Sequence, residues 1–389
     1  MHLPTIPDQT GLWPLDPAVT HLNHGSFGST PLAGLDHLAD LRREVDARPM
    51  AWFRDLPSRV RRASTEVAGW LGSDPERTVL VSNASAAATI TFRGVRLEPE
   101  DEVLVTNHGY GAVTMAAERA ARRQGARLVT AEFGLSATAD EVVERVRAAL
   151  TNRTRVLVVD QVTSPTGLRL PVERLCVLAR EHGVISVVDG AHAPGMLADP
   201  VVADADIWFG NLHKWGCAPR ACAALVVGEQ APDLDPVIDS WAAAEPFPHR
   251  FDMQGTSDLT AWLAAPWVLA HLEQSIGWDL VRRYQAALLG EGTRLVTEAM
   301  SQVFNQDCAV VRPMAAPALS LVRVPGLAGD FAALTSYRAL MDDCGFEAAG
   351  TGLGGQGYVR LSAAAHNTLG DYERFADVAV PSLGRAFAR

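Results

Sequence analysis

Residues 203–227 read ADADIWFGNLHKWGCAPRACAALVV. An acidic turn runs into an apolar strand, then Gly210-Asn211-Leu212-His213-Lys214-Trp215, then a run of small apolar residues. Lysine is among the side chains least often buried, yet here it stands between a histidine and a tryptophan in a stretch that otherwise reads as interior. It is also the only lysine among 389 residues; every other member of the Lys and Arg total of 34 is arginine. A lysine surrounded by apolar groups loses basicity because its charged form is desolvated. A free amine near neutral pH attacks aldehydes, and lysine is the side chain used for Schiff bases. The segment therefore predicts a site for a bound carbonyl cofactor at Lys214.

The strand before this turn closes a series. From about residue 60 to 230, short β-branched runs alternate with helical stretches: RTVLVSNASAAATITFRGV, DEVLVTNHGYGAVTMAAERAARRQGA, ARLVTAEF before TADEVVERVRAALTNRT, RVLVVDQVTSPTG before PVERLCVLAREHG, then VISVVDGAHAPG. Continuously apolar strands suit a sheet covered on both faces. The alternation predicts an α/β fold with a mostly parallel, doubly wound sheet and right-handed crossovers. In such sheets ligands bind outside the carboxyl ends of the strands. Four of those ends carry Asn83-Ala84-Ser85, Asn107-His108-Gly109-Tyr110, Gln161-Val162-Thr163-Ser164 and Asp189-Gly190-Ala191-His192, and the lysine follows a fifth. After about residue 255 the pattern turns to long amphipathic helices, then short strands (PALSLVRV, GYVRLSA) and helices, a smaller α+β domain. The expected division is an N-terminal segment 1–20, a large domain 21–255 and a small domain 256–389. The glycines of GTGLGGQG read as a flexible loop.

Composition excludes several classes. With 48% hydrophobic and 20% charged residues the chain is globular. A net charge of −11 argues against nucleic acid and anionic membranes as partners. The start carries no cationic segment followed by an apolar core, and no apolar run reaches membrane-spanning length. Five cysteines without paired spacing read as reduced thiols, so a cytoplasmic location is expected and no metal site.

Pyridoxal phosphate makes demands these strand ends meet. Its ring nitrogen needs a carboxylate to stay protonated, which Asp189 supplies. Its phosphate takes backbone N–H groups at a helix start and a hydroxyl, offered by Ala84 and Ser85. Tyr110 stacks on the ring; His192 and Ser164 are candidates for the ring hydroxyl.

The chain resembles fold-type-I, class V aminotransferase-like enzymes and, within them, the isopenicillin N epimerase-like branch. The resemblance runs nearly end to end and rests on HLNHGSFGSTP, NASAA, NHGYGAV, TSPTGLRLPV, VVDGAHAPG, LHKWGCAPR, MQGTSD and VRLSAAAHNT. It implies that Lys214 forms the Schiff base and moves protons at the substrate Cα, that Asp189 pairs with the pyridinium and that Tyr110 stacks. It places phosphate contacts on Ala84, Ser85 and His213, and implies a homodimer in which Thr256, beside Gly255, reaches the partner's phosphate. Arg360 matches the arginine that binds the substrate α-carboxylate, for which a bidentate guanidinium suits. The N-terminal loop would bring Asn23 and His24 to the substrate.

Loss of the Cα proton is common to several reactions: epimerisation, β-elimination of a sulfur substituent and transamination. Fold and cofactor do not choose among them. An epimerase needs an acid/base on each face; Lys214 serves one, and Tyr110, His24 or water the other. Epimerisation of an amino-acid substrate is the leading expectation, a C–S lyase the next, an aminotransferase the third. A persulfide-forming desulfurase is disfavoured because AAGTGLGGQGYVR, ahead of the carboxylate arginine, holds no cysteine. A dinucleotide-binding oxidoreductase fails because SNASAA stands where GxGxxG is required.

Overall fold

The computed structural model describes residues 3–388. After a two-residue strand β1 (Thr20–His21), the long helices α1 (Leu32–Ala47) and α2 (Pro49–Leu71) precede the alternating region. There β2 (Thr78–Val81), α3 (Ala84–Gly94), β3 (Glu102–Thr106), α4 (Gly111–Arg123), β4 (Arg127–Ala131), α5 (Ala139–Ala149), β5 (Thr154–Asp160), α6 (Val172–Glu181) and β6 (Ile185–Asp189) follow in turn. The strands β7 (Ile207–Asn211) and β8 (Ala223–Val227) flank the lysine turn. They form a seven-stranded sheet in the order β2-β8-β7-β6-β5-β3-β4. All neighbours are parallel except β8, which runs antiparallel to both β2 and β7. The connection through residues 212–222 carries no crossover helix, and it returns the chain antiparallel.

The apolar strands feed two cores. On β5, Leu157 and Val159 face a cluster shared with α2, α5 and α6, whereas Val156 and Val158 face one shared with α3 and α4. That alternation is the period of two expected of a strand. The winding reverses between β3 and β5: from β3 the chain steps outward to β4, then returns to build β5, β6 and β7 on the other side. The carboxyl ends flanking this switch point carry Tyr110 and Asp160, and the next strand over carries Asp189.

Beyond residue 255, α7 (Thr260–Ser275) and α8 (Trp278–Phe304) lead to β9 (Leu319–Ala328), α9 (Phe331–Asp343), β10 (Phe346–Glu347), β11 (Ala349–Leu353), β12 (Gln356–Ser362), α10 (Leu369–Arg374) and α11 (Val380–Phe387). Strands β11, β12 and β9 make an antiparallel sheet. The α7 residues Trp262, Val268 and Leu269 pack in the cluster of α2 and the large sheet, whereas α8 from Tyr284 onward packs with β9 and β12. We therefore propose that the smaller domain begins within α8. Leu22 joins that second cluster, and β1 pairs with β10, so the N-terminal loop is anchored from the C-terminal side.

One local expectation is corrected. GTGLGGQG is not a flexible loop: residues 349–353 and 356–362 pair as a hairpin whose turn is Gly354-Gly355. Both turn glycines have positive φ, +58° and +80°, which a two-residue hairpin turn of this hand requires.

Gly195 is required for a different reason. Its φ is +84°, and a Cβ there would lie 2.4 Å from the Trp215 carbonyl carbon. Gly195→Ala should lower the unfolding free energy by about 2–4 kcal/mol, adding left-handed strain to overpacking. Urea denaturation reads this as a lower midpoint with unchanged slope, against a near-neutral Gly134→Ala, where a Cβ meets open space.

Candidate active site

Lys214 sits in the turn closing β7 onto β8. Leu212 N–H bonds to the Cys222 carbonyl at 3.1 Å, and the N–H of Ala218 returns to Leu212 at 3.1 Å. The turn tightens through Cys217 and Ala221, both in left-handed conformation. Lys214 is 8% exposed. Its Nζ lies 3.2 Å from His192 Nε2 and 5.8 Å from the centroid of the Tyr110 ring. Burial lowers the amine to a pKa of about 8, partly opposed by the nearby Asp189 carboxylate.

Asp189 ends β6 and is buried; Oδ1 accepts the Ala191 N–H at 2.9 Å, and Oδ2 has no partner. Burial raises its pKa to about 6. Asp160 ends β5 in register with it, is buried too, and also leaves Oδ2 unpartnered. Burial and then the Asp189 charge push Asp160 well above the usual carboxylate range, while the Tyr110 backbone N–H bonds to its carboxyl. Two carboxyls this close cannot both ionise cheaply, and Asp189 is the one that ionises first. Asp160 was missed, although the sequence marks it: β5 and β6 both end in Val-Val-Asp.

The start of α3 departs in part from expectation. Asn83 caps the helix by accepting the Ala86 N–H at 2.8 Å. The Ala84 N–H does not point to open space; it donates to Asn211 Oδ1 at 2.9 Å, because a buried N–H needs a partner. Ser85 remains as the expected donor, half-buried at the helix N-terminus. His213 Nδ1 faces the Cys222 carbonyl at 2.8 Å and so carries the proton; its other nitrogen is an acceptor while the ring stays neutral. Burial keeps it so, lowering its pKa to about 4. Thr256 is at the surface.

Arg360 on β12 is buried and, among the described residues, has no carboxylate partner. It donates to the Ser164 carbonyl at 2.5 Å, to Ser164 Oγ at 3.3 Å, to Asn23 Oδ1 at 3.1 Å and to Ser26 Oγ at 2.6 Å. Its Nε has no partner, and burial lowers its pKa to about 10. Ser164 thus lies with the arginine, and Ser26 joins a group for which the sequence had nominated only Asn23. Tyr110, Ser164, Arg360, Asn23 and Arg338 line one cavity of about 730 Å³.

His24 does not line that cavity. Its Nε2 lies 3.1 Å from the Lys214 carbonyl and its Nδ1 3.3 Å from His366 Nε2, so both ring nitrogens are engaged. Burial lowers its pKa to about 4. It holds the lysine main chain, and Gly28 lets the same loop approach: a Cβ there would lie 2.3 Å from the Lys214 carbonyl oxygen. Cys217 is packed, its thiol pushed up to about 12 by burial. Among the described residues no cluster of three or more His, Cys, Asp or Glu side chains could hold a metal ion, and no helix is long and apolar enough to cross a membrane.

The residues present fit pyridoxal phosphate. A near-neutral buried amine answers an aldehyde, the orphaned Asp189 oxygen a protonated ring nitrogen, and the space between Lys214 and Tyr110 a flat ring. A mostly parallel sheet with these groups at its switch point defines a fold-type-I pyridoxal-phosphate enzyme. The sequence profile described as "Aminotransferase class-V" matches residues 54–308, and the chain belongs to that family. It is 32% identical over 304 residues, 73% of this chain and 76% of the other, to an isopenicillin N epimerase of Streptomyces clavuligerus. It is 32% identical over 297 residues to a putative L-cysteine desulfhydrase 1 of Oryza sativa subsp. japonica, covering 71% of this chain and 60% of that one. Among solved structures, an apo cysteine desulfurase from Thermococcus onnurineus NA1 superposes with a TM-score of 0.79 at 19% identity, covering both chains fully, a likeness of fold.

Two outcomes test the site. Reductive labelling of Lys214 with a small aldehyde should rise about tenfold per pH unit and level off above about pH 8, because only the neutral amine reacts. Asp189→Asn should weaken cofactor binding about ten- to a hundredfold, the loss of a hydrogen bond to a charged group. Asp160→Asn, a neutral isostere of the protonated acid, should change it less than threefold; equilibrium dialysis measures both.

Proposed function

We propose that the protein binds pyridoxal phosphate at Lys214 and epimerises an amino acid or amino-acid-derived substrate at Cα, in the manner of the isopenicillin N epimerase-like branch. The observation that carries an amino-acid substrate is Arg360: a buried guanidinium without a carboxylate partner, in the cavity that Tyr110 also lines. A substrate α-carboxylate supplies the missing anion, and Asn23, Ser26 and Ser164 hold the guanidinium for it. When bound, the cofactor supplies an electron sink for the Cα carbanion. Asp189 would keep the ring nitrogen protonated and Ser85 would hold the phosphate; His213, its one N–H spent on the Cys222 carbonyl, would donate to that phosphate only as an imidazolium. His192 faces the amine. Lys214 takes and returns the Cα proton on one face. The Tyr110 hydroxyl acts on the other, a role supported by its ring lying 5.8 Å from the amine. The likeness to an isopenicillin N epimerase over three-quarters of that protein's length supports epimerisation.

A second reading, β-elimination of a sulfur substituent from a cysteine conjugate, is supported by the likeness to a cysteine desulfhydrase. A persulfide on the chain itself has little support. The segment 349–353 beside Arg360 is a strand without cysteine, and Cys344 lies just past α9. We further infer a cytoplasmic homodimer: Trp241 is 93% exposed near the exposed Val237 and Ile238, an apolar patch that a second copy would cover, with Thr256 on the same surface segment.

NMR in heavy water with candidate amino acids and sulfur conjugates separates the readings. Deuterium at Cα with an intact skeleton and a growing opposite stereoisomer is the expected result. Keto acid, ammonia and a released sulfur fragment would replace epimerisation by the lyase reading. Lys214→Ala should lose borohydride-reducible attachment of the cofactor; retention of a reducible bond elsewhere would sink the assignment of Lys214.

A further inference from the structure

Trp215 is fully buried beside the lysine. Its indole N–H points at His192 Nδ1 at 3.2 Å, while His192 Nε2 faces Lys214 Nζ at 3.2 Å. Indole nitrogen donates and never accepts, and a neutral imidazole carries one N–H and one lone pair. His192 Nδ1 must therefore present its lone pair to the indole, which leaves the single N–H on Nε2, facing the amine. The opposite tautomer would set two N–H donors against each other in a dry interior, at the cost of an unsatisfied buried donor.

We propose that Trp215 fixes the His192 tautomer that presents an N–H to Lys214, and thereby holds the lysine amine in its neutral, nucleophilic form. The hydrogen bonds then run one way, from indole to imidazole to amine, and end on the amine lone pair. An ammonium in the same place would turn its protons against the imidazole N–H. His192 itself stays neutral: burial disfavours an imidazolium first, and the Arg360 charge adds to that. The other charged groups facing the amine are the carboxyls of Asp189 and Asp160 and the Arg360 guanidinium. The Asp189 carboxylate favours the ammonium, and Asp160 would do so only if it ionised; the relay opposes them. The indole is held in place for this. The Gly195 backbone packs against the Trp215 main chain, a Cβ on Gly25 would lie 3.2 Å from the indole, and the His24 ring lies 5.2 Å away. Trp215 is in this sense a positioning residue, acting through His192.

The inference rests on Lys214 being the nucleophile of the site, and its test is independent of the borohydride experiment that tests that assignment. Because the chain has one lysine, full-length protein labelled with ¹³C at the lysine ε-carbon and freed of cofactor gives a single lysine signal whose pH titration reports Lys214 alone. The wild type should titrate near pH 8. Trp215→Phe keeps an aromatic ring and removes the N–H. Its midpoint should move up by about half a unit to one unit, as the imidazole becomes free to offer its lone pair to the ammonium. Reloading with pyridoxal phosphate near pH 7 should slow about three- to tenfold by the same shift. An unmoved midpoint in a folded Trp215→Phe protein, as judged by its near-ultraviolet circular dichroism, overturns the proposal. Should that variant not fold, ¹⁵N-histidine spectra of the wild type decide, with the His192 signal identified by its loss in His192→Gln: an Nε2–H ring supports the relay and an Nδ1–H ring overturns it.

Discussion

A primary amine attacks a carbonyl only while its lone pair is free, and water keeps an ordinary lysine charged far above neutral pH. Withdrawing Lys214 from water is the constraint around which this chain is arranged. The turn after β7 is pulled tight enough to place the side chain inside, and the N-terminal loop closes over its main chain through His24 and the glycine approach at Gly28. Burial alone would favour a neutral amine without limit, but the same pocket also holds the Asp189 carboxyl. The two requirements oppose each other, since each carboxylate near the amine raises its basicity. A value near 8 is the compromise. The in-register partner Asp160 matters for the same reason: kept protonated beside Asp189, it adds shape and a hydrogen-bond acceptor for Tyr110 without adding a second negative charge.

The same logic explains why cations lie in the interior of an acidic protein. Arg360 is as deeply buried as Lys214 and has only neutral oxygens around it. A buried, unpaired charge is expensive unless something compensates it. Four oxygen acceptors soften the cost but do not cancel the charge, which leaves a strong preference for an anion. We infer that affinity for a substrate carboxylate is built from that residual field, and that Ser164 and Asn23 serve it by fixing the guanidinium plane.

Much of this is legible in the sequence. Continuous apolar runs such as Val-Leu-Val-Val and Val-Ile-Ser-Val-Val specify a two-faced sheet whatever their neighbours, and both appear as central strands. Polar residues at strand ends collect at one crevice because a doubly wound sheet leaves them nowhere else to go. Asp189, Lys214 and Tyr110 are drawn together for that reason. What escaped was set by partners distant in sequence. The direction of the Ala84 N–H depends on Asn211, 127 positions away, and the place of Ser164 on Arg360, 196 away. The Gly354-Gly355 turn was misread because a glycine-rich stretch fits both a hairpin and a floppy loop until a pairing strand is known. Helices α1 and α2 lie ahead of the alternating region, where no strand pattern drew attention to them.

The engagement of both His24 nitrogens narrows the question of reaction type. An epimerase returns a proton from the face opposite the one it was taken from, so it needs a second group that water or a side chain supplies. The sequence left Tyr110, His24 and water as candidates. His24 is spent on the Lys214 carbonyl and on His366, and its depressed basicity makes it a poor proton carrier near neutral pH. Tyr110 is partly exposed to the cavity, its ring across from the amine and its backbone tied to Asp160. We infer that the phenol, delivered by the α4 N-terminus and pinned by that carboxyl, is the group on the second face. A β-elimination needs no such group at Cα, since its proton is taken and never returned. The two chemistries therefore make different demands on one hydroxyl while sharing every other residue of the site. On this reading the tyrosine, rather than the lysine, is the residue at which the two chemistries part.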